Sequence, residues 1–524
     1  MSVERADALP RDATVALTNA RVVDVAAGAY YPAGISVLIR GAQIVALAGL
    51  PGQPAAPAPD LTLDLGGRAL IPSLFNAHCH VHSVSAGLPT AVRDVPGALW
   101  RNNRYALQQI ETSMQACLER GITTVRDAAT EDLRPARRLR QRIASGTLPG
   151  PRLVQSVVVG PVGSSWIPAR RGLQEALIWR TMAVRPTPPD APYAGVVAFP
   201  PDADEQAVRA AVDRAIDERG ADVIKVHEQS TLRFTLDRPA RIMPLAQLDA
   251  LIDQARRRGV PTQMHHIQAA AFRRAVQVGV TSLDHFPYDA PLTEADGAAC
   301  LAAGCVLVPT MWAFFYAGLW PMAGQPWSDH PRMRRLAAYR SRTYREMAPY
   351  WTPALRAAAL GPYQTYDPAH PSLFAKRMGH SYAPVLTHGA DNLLKLYAAG
   401  VPFGCGNDAG ALPCTPAMVR EEIGVFDLVL NEDATVMTGA DALRAATLHS
   451  ARALGLEQRL GSIAPGKLAD LVVLEGDPLA DPTRIGAPAA AVFQEGRLVV
   501  NACGLRDGQP SSAARDHPQA FRQP

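Results

Sequence analysis

Six side chains that could bind metal ions stand at or near the ends of short apolar runs that are scattered along the chain. They are His78, His80, Lys225, His265, His285 and Asp408. Neutral imidazole and carboxylate are the ligands expected for zinc and similar divalent ions. One metal site cannot comfortably use six such residues, but two adjacent sites can. The set therefore predicts two divalent metal ions. Zinc is the first expectation, and cobalt and manganese stay open.

Taken singly, these residues have ordinary explanations. An HxH triplet such as the one at His78 occurs by chance, and a lone histidine at the end of a strand usually serves packing or lies at the surface. Asp408 stands in the sequence GCGNDAG and would also suit a turn. Lys225 carries more weight, because burial of a lysine without a partner costs several kcal/mol. The joint occurrence on separate strands favours the metal site.

Two further histidines follow members of this set at a spacing of two residues. His82 follows His80, and His227 follows Lys225. A strand alternates its side chains with a period of two, so each should face the same side as its predecessor. Both are candidate substrate contacts. For His82 an exposed loop position is the alternative.

Eight short apolar runs alternate with amphipathic stretches such as 245–259 and 269–279. The runs are residues 71–78, 122–127, 151–160, 221–227, 261–266, 281–286, 305–311 and 401–408. Alternating β and α units predict the α/β class, and eight of them predict a (β/α)8 TIM-like barrel. The candidate ligands then lie at the carboxyl ends of their strands, where barrel enzymes carry their catalytic groups.

The two ends of the chain have the β-branched texture of strands, but neither end has enough strands to form a stable sheet pair alone. We therefore expect residues 12–70 and 461–505 to share one small β-sandwich domain. Residues 71–460 would form the barrel, with insertions at about 161–220 and 312–390. The second insertion is rich in aromatic residues, which suits either a lid over the substrate or simple packing. Residues 506–524 have the composition of a disordered tail.

Composition narrows the class of protein. The chain has 524 residues, a net charge of +4 and 48% hydrophobic residues, which leaves no electrostatic footprint for nucleic acid. Uninterrupted apolar runs stay below the ~18 residues of a membrane span, and the N-terminus lacks a signal-like apolar region. Seven scattered cysteines argue against a disulfide framework. We expect a cytoplasmic, homo-oligomeric enzyme with a small-molecule substrate, no nucleic acid and no membrane partner.

Several longer motifs carry a resemblance to a known family. They are IPSLFNAHCH at 71–80, GITTVRD at 121–127, GADVIKV at 220–226, LDH at 283–285, LVPT at 307–310, GNDAG at 406–410, and the closing segment 443–479. In this order they resemble the amidohydrolase superfamily, in its imidazolonepropionase-like and prolidase-like branch. The similarity extends from about residue 15 to 500.

The resemblance implies a role for each candidate ligand. His78, His80 and Asp408 would bind one ion, and His265 and His285 the second. Lys225, carboxylated by carbon dioxide, would bridge the two. Asp408 would also be the catalytic acid and base. The implied enzyme is a binuclear metal-dependent hydrolase in which a metal-bridging hydroxide attacks an amide-type C–N bond.

The implied substrate is an N-acyl amino acid, a dipeptide, or a related amide or carbamate. The segment VHEQSTLRFT after Lys225 departs from the Ser/Gly-rich stretch of similar proteins and leaves the substrate open. One alternative is a cyclic-amide hydrolase or deaminase of the same fold. Deaminase-type relatives generally use one metal ion and lack the bridging lysine, so Lys225 argues against that reading. A non-catalytic scaffold would lack ligands, whereas all six are present.

Overall fold

The chain is described by a computed structural model. It describes residues 12–52, 55–84, 95–169, 173–185, 187–232, 235–318, 330–332, 334–336, 339, 346, 348–357, 383–410, 414–431 and 436–509. Most of the predicted insertion at 312–390, and the predicted tail from residue 510 onward, lie outside these ranges. None of the helices within the described ranges is long and apolar enough to cross a membrane.

Seven short strands precede the barrel. They are β1 (Thr14–Thr18), β2 (Arg21–Asp24), β3 (Ala29–Tyr30), β4 (Ser36–Arg40), β5 (Gln43–Ala48), β6 (Leu61–Asp64) and β7 (Ala69–Pro72). Tight turns rich in glycine separate them. Gly41, with a φ of 56°, lies in the turn between β4 and β5, where a residue with a side chain would be strained.

Within the described residues the barrel region contains ten strands, and five of them are buried along their whole length. The ten strands are β8 (Leu74–Cys79), β9 (Ile122–Asp127), β10 (Arg152–Pro161), β11 (Val196–Phe199), β12 (Val223–His227), β13 (Thr231–Leu232), β14 (Thr235–Pro239), β15 (Thr262–His265), β16 (Ser282–Asp284) and β17 (Val306–Val308). Continuous apolar runs of this kind are typical of parallel strands that are covered on both faces.

Seven of these strands pair in parallel, in the order β17, β16, β15, β12, β10, β9, β8, with β11 as an extra neighbour of β10. Residues 402–409 run between the two ends of this sheet. Phe403 pairs with Leu307 of β17, and Ala409 pairs with Cys79 of β8. This segment supplies the eighth position and nearly closes the barrel. The small strands β13 and β14 form a separate hairpin.

Helices surround the barrel and alternate with its strands. They are α1 (Val95–Glu119), α2 (Leu133–Ala144), α3 (Leu173–Thr181), α4 (Glu205–Asp217), α5 (Leu245–Arg257), α6 (Ala269–Val278), α7 (Glu294–Ala302), α8 (His388–Ala398), α9 (Val419–Leu430), α10 (Gly439–Arg444) and α11 (Ser450–Ala453). The amphipathic stretches at 245–259 and 269–279 are α5 and α6. In α5, Leu248, Leu251 and Ile252 face the core with helical spacing.

The outer sheets combine both ends of the chain. β18 (Leu471–Leu474), β19 (Ala491–Gln494) and β20 (Arg497–Asn501) join β7, β2 and β3 in a six-stranded sheet, and β5, β4, β1 and β6 form a four-stranded sheet. Val15 and Leu17 belong to the same buried apolar cluster as Leu471 and Phe493. The predicted barrel with a small β unit from both chain ends is confirmed. Residues 71 and 72 pair in the outer sheet, while the division into domains stays a prediction.

A buried ion pair joins the end of α1 to α9. The guanidinium of Arg120 donates to both carboxylate oxygens of Glu421, at 2.8 and 3.1 Å, and also to the carbonyl oxygen of Gly486 before β19. Both side chains are almost fully buried. Arg120 therefore links the outer layer of the barrel to the segment that leads into the outer sheet.

We expect Arg120→Met to lower the free energy of unfolding by about 3–5 kcal/mol, because it leaves the carboxylate of Glu421 buried without its main partner. Urea denaturation measures this change. Arg258→Met is the matched control, since Arg258 pairs with Asp217 at the surface and such pairs contribute less than about 1 kcal/mol. Equal losses in the two variants would contradict the expectation.

Candidate metal centre

His78, His80 and Asp408 form a compact cluster where β8 meets the segment that closes the barrel. The Nε2 atoms of His78 and His80 lie 3.3 and 3.1 Å from the same oxygen, Oδ1 of Asp408. One ligand atom from each residue falls within 4.8 Å of the others. The backbone holds this arrangement, because the amide of Asp408 donates to the carbonyl of His78 and the amide of His80 donates to the carbonyl of Ala409. The cluster has the size and chemistry of a site for one divalent ion.

A second pair of histidines lies beside this cluster. His265 ends β15 and His285 directly follows β16, and their ring centroids are 4.6 Å apart. The ring of His285 is also 4.9 Å from the ring of His78. Burial lowers the pKa of His285 well below its ordinary value, which keeps the imidazole in its neutral, metal-binding form. The structure therefore brings both predicted histidine pairs to one end of the barrel.

Lys225 of β12 points into the same centre and contacts Asp284 at the end of β16. Nζ of Lys225 bonds to Oδ2 of Asp284, and Nδ1 of His78 lies 3.3 Å from that oxygen. The other oxygen of Asp284 accepts a hydrogen bond of 2.8 Å from Arg126 of β9. Burial lowers the pKa of Lys225, although Asp284 acts in the opposite direction. A lowered pKa favours the neutral amine that carbamate formation requires.

The two carboxylates of the centre are held in their charged form. Burial alone would raise the pKa of Asp284, but Lys225, His78 and Arg126 outweigh it and keep the pKa well below the usual range. Burial likewise opposes ionisation of Asp408, and hydrogen bonds from His78 and His80 outweigh it. An ionised carboxylate is the form that binds a divalent ion.

Protein acceptors fix the orientation of two imidazole rings. Nδ1 of His80 donates to the carbonyl of Ala129 at 2.8 Å, and Nε2 of His265 donates to Oε1 of Gln229 at 2.9 Å. A ring nitrogen that donates a proton directs the lone pair to the opposite nitrogen, which is the usual arrangement around protein-bound metals. His80 would therefore bind through Nε2 and His265 through Nδ1. This donor set fits divalent metal ions.

Backbone conformation helps to aim the ligands. His285 has a φ of 70° and Asp408 a φ of 52°, both in the left-handed region that residues with a side chain rarely adopt. Such conformations cost about 1–3 kcal/mol each and cluster at functional sites. Here they turn the two side chains out of the alternation of a regular strand and toward the shared centre.

The two candidate substrate contacts are buried close to the centre. Nδ1 of His82 lies 3.3 Å from the carboxylate of Asp127, so His82 is not an exposed loop residue. His227 bonds through Nδ1 to the hydroxyl of Ser165, and its ring stacks on that of His265. Their contact with substrate stays a prediction.

The sequence patterns did not identify every residue of this centre. Asp284 and Arg126 are fully buried charges inside the motifs LDH and GITTVRD. A charged residue within a motif that forms a buried strand was the signal that could have identified them. Trp166 lies in the first predicted insertion, with its ring 6.4 Å from that of His80 and 5.2 Å from that of His227. Phe314, from the second insertion, lies 5.1 Å from the ring of His285. Phe314 is one of the aromatic residues for which the sequence left a lid over the substrate and simple packing as alternatives, whereas Trp166 carried no signal of its own.

We expect Asp284→Asn to lower the free energy of unfolding of the metal-depleted protein by about 3–5 kcal/mol, because it leaves Arg126 and the uncarboxylated Lys225 buried without their counter-charge. Urea denaturation provides the measurement. Asp217→Asn is the control, since Asp217 is 59% exposed in its pair with Arg258. A change in Asp284→Asn as small as that of the control would show that the carboxylate does not hold the centre together.

Comparisons with known proteins place this centre in a family. The family model described as "Amidohydrolase family" matches residues 69–499, so the chain belongs to the amidohydrolase family. It is 25% identical to an imidazolonepropionase from Cereibacter sphaeroides over 501 residues, 92% of this chain and 99% of that protein. A stretch of 95 residues, 18% of this chain, is 32% identical to 22% of a 5-methylthioadenosine/S-adenosylhomocysteine deaminase from Symbiobacterium thermophilum.

Among solved structures, a prolidase complexed with N-methylphosphonate-L-proline shares the fold. The TM-score is 0.61 at 24% identity, and the match covers 93% of this chain and 100% of that chain. The family predicted from the motifs is thus confirmed. Family membership and the full-length relative indicate an enzyme that hydrolyses carbon–nitrogen bonds.

Proposed function

We propose that this protein is a binuclear metal-dependent hydrolase that cleaves an amide-type C–N bond. The observation that carries the proposal is the convergence of Lys225 with two histidine pairs and Asp408 at one end of the barrel. His78 and Lys225 both lie against Asp284, and His285 lies against both His78 and His265. A single metal site would not need a buried lysine in the same centre as two pairs of imidazoles.

The proposed assignment of ligands is the one that the family resemblance implies, and the cluster of His78, His80 and Asp408 supports it. His78, His80 and Asp408 would hold one ion, and His265 and His285 the other, with carboxylated Lys225 between them. Zinc is the expected metal, and cobalt and manganese suit the same donors. When bound, the ions would polarise the substrate carbonyl and lower the pKa of a water molecule.

Lys225 can form the carbamate by simple addition. Its neutral amine attacks the carbon of carbon dioxide: an N–C bond forms, one C–O π bond breaks with its electron pair left on oxygen, and the nitrogen loses one proton to solvent. The product is an anion with two oxygens in place of an amine. Asp284 would then keep Arg126 and His78 as partners, at 2.8 and 3.3 Å. The charge of the carbamate itself would be balanced by the metal ions that it would bind.

Asp408 is proposed as the catalytic acid and base. Its side chain is 17% exposed, compared with 2% for His78 and 8% for His80, so it is the most accessible member of its cluster. The ionised carboxylate can accept the proton of the attacking water and pass it to the nitrogen of the leaving amine. Loss of that nitrogen as an amine completes the cleavage of the C–N bond.

The proposed substrate is an N-acyl amino acid, a dipeptide, or a related amide or carbamate. The likeness to a prolidase that holds N-methylphosphonate-L-proline supports this class. Screening the metal-reconstituted protein against N-acyl amino acids, dipeptides, lactams and carbamates, with amine release as the signal, tests it. We further propose a cytoplasmic, homo-oligomeric enzyme that acts on a small molecule and has neither a nucleic-acid nor a membrane partner.

A deaminase or cyclic-amide hydrolase is the second candidate. Local similarities to deaminases, over 95 and 137 residues, favour it. The buried Lys225, which lies in the same centre as the histidine pairs, favours the binuclear enzyme. Lactam opening, or ammonia release from an aminated ring by protein with one ion per chain, would replace the first proposal.

We expect Asp408→Asn to reduce kcat by about 10²- to 10⁴-fold, because the amide cannot carry the proton. Steady-state kinetics on the best substrate of the screen give this number, and circular dichroism checks the fold. Asp391→Asn is the control, since Asp391 is 54% exposed and its pair with Arg332 is long, at 3.4 Å. A near-normal rate in Asp408→Asn would remove Asp408 from the proton-transfer role.

The carbamate leads to a separate expectation about metal loading. Bicarbonate should speed the recovery of metal-depleted protein on addition of zinc, and the loaded protein should hold two ions per chain. Lys225→Met should recover at a rate that bicarbonate does not change. Elemental analysis and recovery of activity measure both effects. Equal recovery of the wild type in buffer free of carbon dioxide would contradict the carbamate.

A further inference from the structure

Two residues of the segment VHEQSTLRFT, which departs from the Ser/Gly-rich stretch of similar proteins, contact a histidine of the metal centre: His227 and Gln229 both lie against His265. Lys225, His227 and Gln229 alternate along β12 and its continuation, so a period of two directs all three to the same side. Lys225 contacts Asp284, whereas His227 and Gln229 both contact His265. Two residues of the segment that differs from similar proteins, His227 and Gln229, therefore surround one proposed ligand, His265.

Gln229 determines which nitrogen of His265 carries the proton. Its side chain is buried, and its amide nitrogen donates to the hydroxyl of Thr231 at 2.8 Å. That bond directs the carbonyl oxygen of Gln229 toward Nε2 of His265, which donates to it at 2.9 Å. The proton is thus placed on Nε2 and the lone pair on Nδ1.

His227 restricts the plane of the same ring. The rings of His227 and His265 are nearly parallel, with centroids 3.7 Å apart and an angle of 11°. Ser165 holds His227 through Nδ1, and the ring of Trp166 lies 5.2 Å from the ring of His227. Rotation of His265 about its outer torsion would break this stack.

His265 needs such support more than the other histidines do. His78, His80 and His285 are buried in the barrel end, whereas His265 is only half-buried. Core packing therefore constrains it least. A ligand that can rotate loses affinity for its ion, because the rotation must be frozen on binding.

We propose that His227 and Gln229 are positioning residues that clamp His265 and thereby set the affinity for the ion it binds. This inference rests on the proposed function, since it takes His265 as a ligand of the second ion. The pattern K-x-H-x-Q at 225–229 would then combine the bridge between the ions with the support of one ligand within five consecutive residues.

The test measures metal affinity rather than turnover. Gln229→Leu removes the acceptor and His227→Ala removes the stacked ring. In each variant we expect the affinity for one of the two ions to fall by about 10- to 100-fold while the other is retained. Titration of metal-depleted protein with zinc against a chromophoric chelator gives both affinities, and elemental analysis gives the stoichiometry.

Three matched variants separate the clamp from a general effect of mutation. Gln229→Glu keeps an acceptor for Nε2, and His227→Phe keeps a flat ring over His265, so both should bind two ions with affinities close to wild type. Gln268→Leu makes the same chemical change nearby, where the amide bonds to Ser230 and not to His265. It should leave both affinities unchanged.

The results separate the proposed clamp from the proposed function. If wild-type protein binds two ions and both affinities are unchanged in Gln229→Leu and His227→Ala, the clamp is overturned and the proposed function stands. Wild-type protein without a second ion would overturn both. If the metal affinity falls equally in Gln229→Leu and Gln268→Leu, the loss comes from local packing and the clamp is overturned. If Gln229→Leu melts early by circular dichroism, the comparison of His227→Ala with His227→Phe decides instead.

Discussion

A buried carboxylate, Asp284, joins side chains from three other strands of the barrel. Lys225, His78 and Arg126 come from β12, β8 and β9, and all of them reach this one group. Asp284 and Arg126 are completely buried, so each charge depends on its partners for the solvation it has lost. Moving any of these strands away from Asp284 would therefore remove a partner from a buried charge. The observed arrangement places Lys225 beside His78, which the proposed chemistry requires.

The remaining geometry follows from parallel strands that end at the same rim. The alternation of side chains brings His78 and His80 to one side of β8, and the pairing with residues 402–409 brings Asp408 next to them. His285 and Asp408 adopt the left-handed backbone conformation, which turns their side chains toward the other ligands at a cost in backbone strain. The strain is tolerated because long-range hydrogen bonds hold both positions: the amide of His285 donates to the carbonyl of Val308, and the amide of Asp408 to that of His78.

Short apolar runs that alternate with amphipathic stretches were sufficient to predict the barrel. The polar residues at the ends of these runs, His78, His80, Lys225, His265, His285 and Asp408, were predicted to lie at one rim, and the structure brings them together there; their role as metal ligands stays a prediction. Asp284 was not predicted because a carboxylate beside a histidine ligand usually points away from it, and only the positive φ of His285 brings both inward. Gln229 and Trp166 were missed for another reason. Their contacts depend on the paths of irregular segments, which no periodicity describes.

The central claim is that these side chains hold a pair of metal ions. Anomalous diffraction from crystals of zinc-loaded protein, recorded on both sides of the zinc absorption edge, tests it most directly. We expect two peaks per chain. One should lie about 2.0–2.2 Å from ligand atoms of His78, His80 and Asp408, and the other at the same distance from ligand atoms of His265 and His285. We also expect extra density on Lys225 between the peaks. A single peak, or peaks away from these side chains, would contradict the claim.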